Sequence, residues 1–280
     1  MTYAMKKRNL YISDLDGTLL RGDRTVSPFT AEAVGKLTER GMLFSYATAR
    51  SYATASKVTE NLQFRTPVIV FNGTFIVEPR TQNRLLSNVF TLEETARIRS
   101  TLTKHRIFPV VNAFFGEREK FSYVQGKETP GIHTFVEERA HDIRKRSVSD
   151  TDGLYDGEVF HVACIDAEEK LRPAYELLKA ELPSVLYRDI YGGETWLEIH
   201  PKGATKASAI LALKEMLHCD KIICFGDGKN DIPMFQIADE CYAVENAEPA
   251  LKALATAVIE SNEADGVAKW LLANAKFEEF

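Results

Sequence analysis

Short apolar runs alternate with amphipathic stretches along the first third of the chain. Residues 9–13, 42–47 and 67–71 are apolar, β-rich and short enough to read as buried strands. Between the first two, Ser27 and Pro28 supply an N-cap followed by proline at the first helical position. The helix they open runs to about residue 40 and stops at Gly41. A second helix is expected over 51–62. This βαβαβ order predicts a parallel sheet with helices packed on it. The pattern changes from about residue 85 to 189. Strands at 110–115, 120–125 and 158–165 and helices at 92–104 and 167–182 give paired neighbouring strands, hence antiparallel sheet. From Thr195 the first pattern resumes, with strands at 196–199, 221–225, 241–244 and 257–260 and helices at 205–217 and 267–275. The expectation is an α/β chain: a parallel-sheet core at 1–85 and 191–280, and an inserted α+β domain at 86–190. Its edges are expected at 79–84 and at Gly192–Gly193, where two crossings would let the insert move against the core.

The chain of 280 residues is 45% hydrophobic and 27% charged, with a net charge of −5. No basic stripe marks a nucleic-acid surface, and no apolar run approaches the ~18 residues needed to cross a membrane. Lys6, Lys7 and Arg8 precede a strand rather than an apolar signal segment. Cysteines at 164, 219, 224 and 241 form no CxxC pair, so buried free thiols and the cytoplasm are expected. Oligomeric state is undetermined.

Candidate chemistry sits where two apolar runs end in carboxylates. The first strand runs into Asp14, Leu15, Asp16, Gly17 and Thr18; the run at 221–225 ends in Gly226, Asp227, Gly228, Lys229, Asn230 and Asp231. Parallel sheets gather strand ends along one edge, where ligands bind. Two acidic ends meeting there suit a hard divalent cation such as Mg²⁺, held by Asp14 and Asp227, with Asp231 orienting a bound water. Asp14 is placed to attack phosphorus, and Asp16 to protonate a leaving oxygen and then deprotonate water. Turn formation and capping explain an isolated DxDG equally well, and the second acidic end decides against that. Thr48 lies between a strand and a helix, where its hydroxyl either caps the helix or holds phosphoryl oxygens. Lys206 opens a helix against its dipole and wants an anion; Lys202 competes for the same role. Leu19 and Ile232 occupy EF-hand glycine positions, and neither GxGxxG nor a P-loop is present. The six histidines show no ligand spacing and are expected at the surface or in packing.

Four segments in order resemble the motifs of the haloacid dehalogenase superfamily: Asp14–Thr18, Ala47-Thr48-Ala49-Arg50, Lys206 within Pro-Lys-Gly-Ala-Thr-Lys, and 226–231. The insert between the second and third motifs resembles the Cof-type subfamily IIB with its C2 cap. So do the tail segments Val244-Glu245-Asn246-Ala247 and Asp265-Gly266-Val267-Ala268. The resemblance implies a Rossmann-like core, Mg²⁺, and phosphatase chemistry through an aspartyl-phosphate. It implies Asp14 as nucleophile and Asp16 as acid/base, the latter also offering its carbonyl to the metal. Asp227 and Asp231 would serve the metal, and Thr48, Lys206, Asn230 and Arg50 the substrate phosphate. It favours Lys206 over Lys202. Ala49 and Glu245 stand where the family has glycine. A small phosphorylated metabolite, most simply a sugar phosphate, is the expected partner. A phosphomutase and a silent ligand-binding protein are the rivals. Tyr123, His133 and Arg188 are the insert's candidate contacts, with a surface role the favoured reading for each.

Overall fold

The computed structural model describes residues 8–63, 65–188 and 193–277. Strand β1 (Asn9–Ser13) is buried along nearly its whole length, as a strand covered on both faces must be. A tight turn at Leu15–Leu19 follows it. Helix α1 (Pro28–Glu39) opens on Ser27, whose hydroxyl accepts from the Thr30 amide. Then come β2 (Leu43–Tyr46), α2 (Tyr52–Val58) and β3 (Val68–Val70). β2 pairs parallel with β1, and a parallel bridge from Ala47 to Ile69 brings β3 alongside. β4 (Phe75–Val77) and β5 (Arg84–Ser87) continue antiparallel from β3. Residues 79–84, expected as a domain edge, instead belong largely to the β4–β5 hairpin turn. The Glu78 amide there donates to the Asn83 carbonyl. A polar, Pro-containing stretch suits a hairpin turn as well as a linker, so composition alone did not separate the two.

The chain divides into two compact units, one of residues 88–203 and one holding the remainder. The 88–203 unit contains α3 (Leu92–Lys104), β6 (Val110–Phe115), β7 (Arg118–Val124), α4 (Pro130–Glu137), β8 (Lys145–Val148), β9 (Glu158–Asp166), α5 (Glu168–Leu178), β10 (Ser184–Arg188) and β11 (Thr195–Ile199). Its sheet runs β10-β11-β9-β6-β7-β8, antiparallel except for a parallel β7–β8 pair. Ile98 and Leu102 of α3 and Leu171, Ala174 and Leu178 of α5 are buried with Val111, Val162, Cys164 and Leu197 from one sheet face. Ile132 and Val136 of α4 pack with Val110, Phe121, Tyr123 and Ile165 from the other.

Three expectations are corrected here. The strand at 195–199 does not return to the core: it pairs antiparallel with β9 and β10. The second boundary therefore falls at Gly203/Ala204 rather than near residue 190, and the first after Ser87 rather than 85. Alternating burial of Thr195, Leu197 and Ile199 announces a strand but not its partner. β8 has no apolar run to mark it. Gly192 lies outside the described residues.

The remainder of the chain supplies α6 (Lys206–Met216), β12 (Lys221–Gly226), α7 (Ile232–Ile237), β13 (Glu240–Val244), α8 (Pro249–Lys252), β14 (Ala257–Ile259) and α9 (Gly266–Asn274). The five-stranded sheet has the order β14-β13-β12-β1-β2 and is parallel throughout. β1, the first strand, and β12, two hundred residues later, are therefore central neighbours. Trp270 of α9 anchors this unit against the rings of Tyr11, Phe225 and Tyr242. All four cysteines are buried and unbridged. Among the described residues no helix is long and apolar enough to cross a membrane.

Candidate active site

Parallel pairing of β1 with β12 sets Ser13 opposite Phe225, and the Asp14 amide donates to the Phe225 carbonyl at 2.9 Å. Both acidic segments therefore leave the sheet side by side. One carboxylate oxygen from each of Asp14, Asp227 and Asp231 lies within 4.8 Å of the others. The buried Lys206 ammonium donates to Asp14 Oδ1 at 2.6 Å and to Asp231 Oδ1 at 2.7 Å. Lys202, the competing candidate, lies in the 88–203 unit, largely exposed and 3.8 Å from Glu94.

One ammonium among three carboxylates leaves the cluster short of positive charge. Burial, opposed by Lys206 and reinforced by Asp231 and Asp227, pushes the Asp14 carboxyl up to about 8. Burial also raises Asp227 to about 6, against a hydrogen bond from Thr18. Hard oxygen donors in charge deficit are the donor set a divalent cation such as Mg²⁺ takes. Asp231 is already engaged at both oxygens: Oδ1 by Lys206, and Oδ2 by the amides of Asp227 and Gly228, each at 3.0 Å. It holds the lysine and the loop, which leaves Asp14 and Asp227 as the more available carboxylates.

The turn after β1 is shaped to admit Asp227. Gly17 has φ +76°, and a Cβ there would stand 2.4 Å from Asp227 Oδ2. Only glycine gives both that conformation and that clearance. Thr18 donates to Asp227 Oδ1 at 2.9 Å. Asn246 Nδ2 donates to the Gly17 carbonyl at 2.7 Å, and its Oδ1 accepts from the Asn262 amide. Thr18 and Asn246 thus tie the acidic turn to its neighbours, and neither was assigned a role from sequence. Thr18 is a hydroxyl within the first motif and Asn246 lies in the family-like tail segment 244–247, but neither segment names the partner.

Thr48 is buried where β2 ends. Its amide donates to the Ile69 carbonyl, its carbonyl accepts from the Asn72 amide, and its hydroxyl accepts from the Arg50 amide at 3.1 Å. Phe71, Asn72 and Gly73 take three successive positive φ values, of 49°, 52° and 101°. A Cβ at Gly73 would meet the Thr205 carbonyl oxygen at 2.0 Å, so this turn presses onto the N-cap of α6, which delivers Lys206. Arg50 grips the exposed Asp16: Nε donates to Oδ2 at 2.7 Å and Nη2 to Oδ1 at 2.5 Å. Ala49 is exposed and does not have a positive φ, so its methyl leaves that reach intact. Asn230 is exposed, its Oδ1 lying over Gly228. Of the insert's candidate contacts, Tyr123 is buried, His133 is exposed on α4, and exposed Arg188 donates to the Gly193 carbonyl.

Comparison with known proteins places this arrangement. The Bacillus subtilis protein named 5-amino-6-(5-phospho-D-ribitylamino)uracil phosphatase YitU is 24% identical over 280 residues, covering 95% of this chain and 97% of that one. The crystal structure of TM0651 from Thermotoga maritima superposes with a TM-score of 0.78 at 24% identity, over 97% of this chain and 98% of the other. The structure of the subclass IIB sugar phosphatase BT4131 matches with a TM-score of 0.70 at 19% identity, over 94% and 97%. The profile of the haloacid dehalogenase-like hydrolases matches residues 11–271, and with nearly the whole chain so covered, the protein belongs to that family.

Proposed function

We propose that this protein is a Mg²⁺-dependent phosphatase that hydrolyses a small phosphorylated metabolite, a sugar or polyol phosphate, through a phosphorylated Asp14. The supporting observation is the cluster of Asp14, Asp227 and Asp231 at the ends of β1 and β12, with one buried ammonium bonded to Asp14 and Asp231. Asp14, Asp227 and the Asp16 carbonyl would hold Mg²⁺, which when bound supplies charge to offset that of the phosphoryl oxygens.

Lys206 engages Asp14 at Oδ1, leaving Oδ2 to attack phosphorus. The phosphorus–oxygen bond to the leaving group breaks, and Asp16 gives that oxygen its proton. Asp16 then takes a proton from water, whose oxygen attacks the same phosphorus. Inorganic phosphate leaves, and Asp14 recovers its carboxylate. Arg50 occupies both Asp16 oxygens, so this pair must open for Asp16 to reach a leaving oxygen. Thr48, Asn230 and the Lys206 ammonium are the donors assigned to phosphoryl oxygens. These groups recognise a feature common to every phosphomonoester, so choice among leaving groups is assigned to residues 88–203. YitU, by its name, acts on a ribityl phosphate, which supports a polyhydroxylated substrate here.

The test is phosphate release from a broad panel of phosphorylated metabolites, with Mg²⁺ and with excess EDTA. Release from sugar or polyol phosphates in Mg²⁺ alone is expected. Isomerised sugar phosphate without release would replace the hydrolase by a mutase; binding with no product would make the site silent.

A further inference from the structure

The histidines give no ligand spacing in sequence, yet the sheet of the 88–203 unit brings two of them together with a glutamate. In the β9–β11 pairing Glu198 stands opposite Ala163 and Trp196 opposite Ile165. The alternation of a strand then puts His161, Ala163 and Ile165 on the same face as Trp196 and Glu198. His200 follows β11 directly, its amide fixed by the Pro183 carbonyl.

His161 Nε2 lies 3.5 Å from Glu198 Oε1, and His200 Nε2 lies 3.9 Å from Glu198 Oε2. One ligand atom from each residue lies within 4.8 Å of the other two. His161 and Glu198 stand at the distance of a long hydrogen bond, and His200 lies just beyond that reach of the same carboxylate. Ligand atoms around a tetrahedral Zn²⁺ with bonds of about 2.0–2.1 Å sit about 3.4 Å apart. The two separations from Glu198, 3.5 and 3.9 Å, lie within about 0.5 Å of that value, and the two imidazole nitrogens lie within 4.8 Å of each other.

Two further observations concern the ring nitrogens other than the Nε2 atoms that face Glu198. His200 Nδ1 is buried and has no hydrogen-bond partner, although a buried polar nitrogen in a folded protein normally has one. The Asn112 amide lies 3.0 Å from His161 Nδ1. The facing atom is Nδ2, which donates to Nδ1 as placed; turning the amide over would let its oxygen accept the Nδ1 proton and free the Nε2 lone pair for a metal, the outer support that metal-bound imidazoles have. The charge also fits: one carboxylate and two imidazoles, nearly buried, offer a dication a net charge of −1. Mg²⁺ prefers an all-oxygen set, whereas two nitrogens and one carboxylate suit Zn²⁺ and its neighbours.

We propose that His161, Glu198 and His200 form a second metal site, separate from the acidic cluster at Asp14 and Asp227, which takes a divalent transition ion of the Zn²⁺ type. Three protein ligands leave a fourth position open to water or another small oxygen donor. The site lies wholly within residues 88–203 and does not depend on the phosphatase assignment.

The experiment titrates Zn²⁺ calorimetrically into the full-length metal-free protein, with Mg²⁺ in large excess to occupy the acidic cluster. One Zn²⁺ per chain is expected for the unaltered protein and equally for Asp227→Asn. His161→Gln with His200→Gln should abolish that step. Asn112→Ala should keep it but weaken it about 10-fold. Circular dichroism and thermal melting in EDTA establish whether each variant folds. X-ray absorption on the 1:1 Zn²⁺ complex of the unaltered protein needs no variant and should show two imidazole ligands. The proposal is overturned by no bound Zn²⁺ in excess Mg²⁺, by a stoichiometric site that survives in the folded double variant, or by a Zn²⁺ spectrum lacking a pair of imidazoles.

Discussion

The two units display polar side chains in different ways. In the parallel sheet, chemistry is gathered at the strand ends: Asp14 follows β1 and Asp227 follows β12, while the strands themselves are almost wholly buried. In the antiparallel sheet it lies in mid-strand on one face, where Asn112, His161 and Glu198 each come from a different strand. A strand end lets a loop supply several groups in sequence, plus glycines that permit close approach. A sheet face supplies one residue per strand, and only pairing register brings them together. The first arrangement makes compact motifs, and the second makes sites with no motif.

The largest effect that would break this contrast is at Asp14, the proposed nucleophile. Asp14→Asn preserves shape but cannot accept the phosphoryl group, and should lower kcat by at least about 10³-fold with the fold intact. Steady-state turnover alongside circular dichroism checks it; near-normal kcat removes Asp14 from the chemistry.

Next is Lys206→Met. It leaves two buried carboxylates without their shared ammonium, and breaking such a pair costs about 3–5 kcal/mol. Urea denaturation should show a loss of that order, partly recovered in saturating Mg²⁺. Unchanged stability would mean that the ammonium does not hold the cluster together. Thr18→Val is milder. Losing one hydrogen bond to Asp227 is worth about 1 kcal/mol, so the Mg²⁺ concentration for half-maximal activity should rise about 5-fold. A larger change in kcat than in Mg²⁺ requirement would contradict a positioning role.

The smallest effect sharpens the comparison from the other side. Glu198→Gln should leave the Mg²⁺ requirement within about 2-fold of the unaltered protein, because the two clusters belong to different units and share no ligand residue. A shift as large as that of Thr18→Val would show that the two clusters communicate.

What could be read from the sequence follows the same division. The meeting of Asp14 with Asp227 was legible because each follows a strand in a short acidic segment, whereas Lys206 was separated from Lys202 only by the family resemblance. The strands β1 and β12 were legible from apolar runs of the right length. β11 was found as a strand but given to the wrong sheet, since alternation fixes a face and not a neighbour. β8 was missed because Lys145–Val148 has only partly buried or exposed positions. The hairpin turn at 79–84 resembled a linker because proline and polar residues serve both. Asn246 is separated from Gly17 by 229 positions, and nothing nearby records their hydrogen bond. The meeting of His161 with His200 depends on the β9–β11 register, which no local pattern contains.

The central claim is that the acidic end of β1 carries the phosphoryl group. The most direct measurement is rapid acid quenching of the enzyme during turnover of a ³²P-labelled sugar phosphate in Mg²⁺, followed by peptide mapping. The account predicts hydroxylamine-labile label on the peptide containing Asp14, formed before steady-state phosphate release and absent with EDTA or in Asp14→Asn. Label on another residue, or release of phosphate at full rate with no protein-bound label at any quench time under conditions that would accumulate it, would contradict the account.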